Sequence, residues 1–189
     1  MYDDLIKQIE LLLEKKERVV VAISGYGGSG KSFLADKICD HFSIPHKTVL
    51  RMDFLHADDT QAKDGIFDEH DWALIVRILK DIHAGKRLHY ASRGFRGHSE
   101  VFDEPLPKVV VAEGVRLLRP EVMQYFDVAV WIDCPVELAT KRAKDRDREQ
   151  GEDEQHLKRW DTEWVPQNDR YFNTIHPDKL ADFIYKEYK

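Results

Sequence analysis

The sequence predicts an α/β protein with a mostly parallel five-stranded sheet, and three observations predict it. Short apolar, β-branched runs alternate with segments of helical periodicity, the pattern of a parallel sheet with crossover helices. A glycine-rich loop lies between the first such run and the helix after it. Three of these runs end in an acid, Asp53, Glu113 and Asp133, at the carboxyl edge where such sheets bind ligands.

Residues 2–16 put Leu5, Ile9, Leu12 and Leu13 on one helical face. The first strand is 18–24, and 32–42 carries Leu34, Ile38 and Phe42 at helix spacing. A second strand is expected over 47–53 and a helix over 69–85, closed by Gly85. Strands follow at 108–114, 127–133 and 180–186, with a long charged helical region between the last two, 136–172. There is no internal repeat.

The 189 residues suit a single domain. A net charge of −6 argues against broad nucleic-acid binding, which relies on basic surface, but permits a small anion in a locally positive pocket. Cys39 and Cys134 are far apart and form no CxxC pair, as expected of reduced thiols in a cytoplasmic protein. The acidic, mixed start reads as no leader peptide, and the apolar runs are too short to span a bilayer, so no membrane partner is expected. The nine histidines show no metal-binding spacing.

The loop Gly25-Tyr-Gly27-Gly28-Ser29-Gly30-Lys31-Ser32 fits G-x-x-x-x-G-K-[ST], the P-loop pattern. Its glycines let amide N–H groups turn inward around phosphate oxygens, and the following helix directs its positive end at the anion. Lys31 is expected to reach the terminal phosphates and the Ser32 hydroxyl to ligate Mg²⁺, with Phe33 beside them. The fold expected is therefore the P-loop three-layer sandwich, and the nucleotide ATP: no Asn-Lys-x-Asp segment for guanine follows a strand.

Phosphoryl transfer needs an acceptor hydroxyl, a base, Mg²⁺ and positive charge. Asp53 ends the second strand and suits the base, or else caps a turn. Glu113 ends the third strand and suits a Mg²⁺ acid, or else is a surface glutamate before a glycine. Arg142 and Arg146 share a helix face and, with Arg148, suit phosphate, unless that face is simply solvated. Trp72, Trp160 and Trp164 read as helix-packing residues.

With the P-loop, "DFLH", "FDEHDW", "AEGVRLLRPE", "WIDCPVELATKRAKDRDREQG" and "DEQHLKRW", the chain resembles the uridine kinase/phosphoribulokinase family of P-loop kinases, and most its uridine kinase branch, over about residues 18–172. The resemblance implies transfer of the γ-phosphate of MgATP to a small-molecule hydroxyl, the 5′-hydroxyl of uridine or cytidine. It implies Asp53 as the base, Phe67, Asp68 and Tyr90 against the acceptor, and Gln155 near it. Arg142, Arg146 and Arg148 become phosphate clamps of a mobile lid at about 140–155, and a homo-oligomer is compatible with the family. Two departures stand out. The lid reads "RDREQG", with Gln150 before Gly151, and the stretch 86–107 matches poorly past Tyr90. There Arg93, Arg96 and His98 would either bind an anionic acceptor or belong to a surface loop. A pantothenate or sugar-phosphate acceptor, or an ATP-binding switch, are the rival readings.

Overall fold

Described in a computed structural model are residues 1–57, 70–93 and 99–186. Helix α1 (Tyr2–Leu13) buries Leu5, Ile6 and Ile9. Strand β1 (Val19–Gly25) is buried along its whole length, as expected of a central parallel strand, and runs into the glycine loop. Helix α2 (Lys31–Phe42) starts immediately after Gly30. Strand β2 (Leu50–Arg51) leads into a single 3₁₀ turn, Met52–Phe54, that carries Asp53.

Helix α3 (Trp72–His83) is capped by Asp71, whose carboxylate accepts from Leu74 N at 2.9 Å. Strands β3 (Leu88–Arg93) and β4 (Ser99–Glu104) pair antiparallel, with Tyr90 opposite Phe102. Strand β5 (Val109–Glu113), the short helix α4 (Pro120–Met123) and strand β6 (Val128–Ile132) follow. Helices α5 (Val136–Glu149) and α6 (Glu154–Arg159), a π-helical turn at Trp160–Trp164 and helix α7 (Val165–Ile175) come next, and the expected lid region, about 140–155, runs from α5 into the start of α6. The chain reaches helix α8 (Pro177–Leu180) and strand β7 (Phe183–Tyr185) last.

The main sheet has the order β2-β5-β1-β6-β7, all parallel, with helices on both sides. Its register places Glu113 beside both Ile23 of β1 and Arg51 of β2. The loop, the Asp53 turn and Glu113 thereby meet at one edge.

Four segments differ from the sequence-based expectation. The second strand, expected over 47–53, shrinks to two residues because it is an edge strand that pairs with β5 only at Leu50 and Arg51. The stretch 86–107, one reading of which was a surface loop, contains a β-hairpin separate from the main sheet. The helical region 136–172 is broken at Gly151, which has φ +83°, and restarts under the Asp153 cap. The expected strand 180–186 is confined to Phe183–Tyr185, since Pro177 starts a helical turn just before it.

Candidate active site

The glycine loop is closed by Ser29 N donating to Tyr26 O at 3.1 Å. Gly28 sits at φ +81°, and a Cβ there would lie 2.1 Å from Ala139 O, so this position needs glycine both for its backbone angle and for the close approach of α5. Lys31 is 5% exposed and its ammonium donates to Tyr26 O at 3.0 Å, which holds the charge at the loop mouth. Buried Ser29 Oγ has no hydrogen-bond partner among the described residues. An inward-turning loop, an α-helix N-terminus and a buried ammonium form a cradle that fits a phosphate chain.

Two acids face this cradle. Ser32 Oγ donates to Glu113 Oε1 at 3.0 Å, and Arg51 Nη1 lies 3.5 Å from the same oxygen. Glu113 Oε2 is buried with no hydrogen-bond partner among the described residues. Burial, then the nearby Asp53 charge, pushes the Glu113 carboxyl above the usual carboxylate range. A hydroxyl beside an unsatisfied buried carboxylate oxygen fits a hard cation such as Mg²⁺.

Asp53 has the opposite fate. Its side chain is half-exposed, and Oδ1 accepts from Val115 N at 3.3 Å. Burial opposes its ionisation, but His70, the Lys31 ammonium and the Val115 amide outweigh it and hold the carboxyl well below the usual range. Asp53 is thus ionised at neutral pH.

A cavity of about 1230 Å³ joins these groups to the lid and the hairpin. Its wall includes Gly27, Gly28, Gly30, Lys31, Ser32, exposed Phe33, Asp53, Tyr90, Glu113, Arg142 and Arg146. Tyr90 is buried and stacks on Phe102, ring centroids 4.8 Å apart, so the hairpin supplies an aromatic wall to the cavity. Gly25 and Ser29 shape the loop from behind and do not line the cavity, and neither does exposed Gln155. Arg148 pairs instead with Asp145 at 3.0 Å and lines a separate shallow groove. Phe67, Asp68, Arg96 and His98 lie outside the described residues.

The lid is organised by a buried acid that sequence reasoning did not single out. Asp147 accepts from Arg146 Nη2 at 2.8 Å, Trp160 Nε1 at 2.7 Å and His156 Nε2 at 3.2 Å. Burial opposes its charge, and these donors outweigh the penalty and keep its carboxyl below the usual range. The Trp160 ring lies against Gly27, where an added Cβ would come within 2.5 Å of it, and Trp164 meets Trp160 edge-to-face at 4.7 Å. Both tryptophans line the cavity, which their reading as helix-packing residues did not include; Trp72 does pack on the core, beneath the Arg119 guanidinium. Buried Arg116, at φ +58°, also lines the cavity. Its signal in the sequence was its place after the third strand, in "AEGVR".

No family model matches the chain. Uridine-cytidine kinase A of Dictyostelium discoideum is 26% identical over 181 residues, 89% of this chain and 36% of that protein. The chain thus spans about a third of that relative's length. Uridine kinase of Staphylococcus aureus strain JH9 is 26% identical over 147 residues, 70% of each chain. Among solved structures, a candidate fructose transport system kinase from Silicibacter sp. TM1040 superposes with a TM-score of 0.75 at 19% identity, over 98% of each chain. Sheet order, loop and neighbour together define the three-layer α/β P-loop fold. Within that class the chain is similar to uridine kinases, at 26% identity. No helix among the described residues is long and apolar enough to cross a membrane.

Proposed function

We propose that the chain transfers the γ-phosphate of ATP to the 5′-hydroxyl of a pyrimidine nucleoside, uridine or cytidine. The observation that carries this reading is the ionised, half-exposed Asp53 carboxylate, which shares one cavity with the phosphate cradle and an aromatic acceptor wall. A nucleotide switch has no use for such a base. Bound MgATP supplies the phosphoryl group and, through its cation, neutralises charge that develops during transfer.

The loop amides and Lys31 bind the phosphate chain. Ser32 and Glu113 hold the cation. Asp53 accepts the proton of the acceptor hydroxyl as the oxygen attacks. Tyr90 orients the acceptor, joined by Phe67 and Asp68. Arg142 and Arg146 clamp the phosphates from the lid, and lid closure excludes water that would otherwise take the phosphoryl group. The acceptor is a small molecule, and the activity is cytoplasmic and needs neither nucleic acid nor membrane.

The test is ADP release from MgATP by the purified protein, alone and with uridine, cytidine, adenosine, pantothenate, fructose or ribulose 5-phosphate. Lys31→Ala serves as the blank. Stimulation by uridine or cytidine supports the reading. Stimulation by another member names the acceptor and retires the pyrimidine assignment. Turnover that no acceptor changes retires the transferase reading.

A further inference from the structure

Beside the base lies a group with no assigned role. His70 precedes the Asp71 cap of α3, is 4% exposed and lines the cavity. Neither of its imidazole nitrogens has a hydrogen-bond partner among the described residues. A buried imidazole left this way is costly unless something repays it in another state. Asp53 lies beside it: Nε2 stands 3.8 Å from Oδ1, just beyond hydrogen-bond range.

The ring is held from several sides. His56 pairs with His70 as an isolated β-bridge and stacks on it nearly parallel, 13° between planes and 6.0 Å between centroids. Trp72 packs beside it at 6.0 Å, and Asp71 N donates to Leu55 O at 2.8 Å, which ties this corner to the Asp53 turn. The imidazole is therefore held in place, next to a half-exposed Asp53 side chain.

We propose that His70 is the positioning residue for Asp53. When an acceptor engages, Nε2–H closes onto Oδ1 and joins the Val115 amide there, and Oδ2 is left facing the acceptor hydroxyl. Catalytic hydrogen bonds that are long in a free enzyme tighten in this way in the reacting complex. The hydroxyl proton passes to Oδ2, the acceptor oxygen bonds to the γ-phosphorus, the bond to the β–γ bridging oxygen breaks and ADP leaves; His70 keeps its own proton throughout. The inference rests on the role of Asp53 as base.

The experiment compares His70→Phe, which keeps a flat ring and removes the donor, with His70→Gln, which keeps an N–H donor. Transfer kinetics, ATP affinity and melting temperature are measured for each, in the parent and in Asp53→Asn. The expected result is that His70→Phe lowers kcat about tenfold or more, a fraction of what an acid–base group contributes. ATP affinity and the acceptor KM stay within about twofold, and His70→Gln regains most of the rate. In Asp53→Asn, His70→Phe costs nothing further, because the two groups act as one unit. Should His70→Phe not fold, His70→Asn, with its donor drawn back from Asp53, carries the same expectation.

An unchanged kcat overturns the proposal. So does an acceptor KM that rises while kcat holds, which would place the imidazole on the acceptor instead. Equal losses in the Phe and Gln variants, or a full loss repeated in Asp53→Asn, overturn it too. Full activity in Asp53→Asn alone is a separate result: it removes the base assignment itself.

Discussion

Gly28 and Glu113 show how single positions carry the site. At Gly28 any side chain meets both a left-handed backbone angle and the Ala139 carbonyl 2.1 Å away. Gly28→Ala is expected to weaken ATP binding by at least about tenfold, or about 1.4 kcal/mol, and to lower the melting temperature; titration with ATP and thermal melts read the two effects. Glu113 has a folded-state pKa above its unfolded value, so the folded chain holds this proton more tightly than the unfolded chain. Its contribution is therefore present at low pH and lost as pH rises from the ordinary glutamate value of about 4.3. Glu113→Gln is expected to melt higher than the parent at neutral pH without ligand, with a flatter pH dependence above that value, and to lose the gain from Mg²⁺. A lower melting point for the variant at neutral pH would contradict the burial penalty assigned to Glu113.

The P-loop residues were legible because their spacing is itself the chemistry. Asp53 and Glu113 were legible because Glu113 ends an apolar strand at the ligand edge and Asp53 follows a strand within two residues. His70 and Asp147 were not, since their importance comes from what the fold packs against them. A lone histidine beside a helix cap and one acid in a charged helix carry no signal of their own in the sequence.

The segment from α5 to α7 depends on one tryptophan that does two things. Trp160 lays its ring on Gly27 and donates to buried Asp147. Trp160→Phe separates these roles, because it keeps an aromatic ring and loses the donor. Denaturant unfolding should show a loss of about 1.5–3 kcal/mol, the range for a hydrogen bond to a charged group, with a larger loss for Trp160→Ala. Equal stability in the Phe variant would mean that Asp147 is satisfied without Trp160. The five parallel strands were readable as apolar runs because both of their faces are covered. The β3–β4 hairpin was not, because it stands apart from that sheet, and its residues, His89, Ser92, Glu100 and Asp103 among them, mix polar with apolar. The break at Gly151 was hidden by the continuous charge of the region around it.

Across the whole chain, the loop, both acids, the lid and the hairpin converge on one cavity, so ligand binding and folding stability are linked. MgATP at about 100 times its Kd is expected to stabilise the chain by about 2.7 kcal/mol, seen as a rise in melting temperature that Lys31→Ala abolishes. A rise of equal size in Lys31→Ala would place the nucleotide elsewhere.

The central claim, transfer to a hydroxyl with Asp53 as base, is tested most directly by following the label of γ-labelled ATP in the presence of uridine. The expected result is label in an organic phosphate ester, with Asp53→Asn still binding ATP but forming ester about 100-fold or more slowly. Label appearing only as inorganic phosphate, or ester formation at the parent rate in Asp53→Asn, would contradict it.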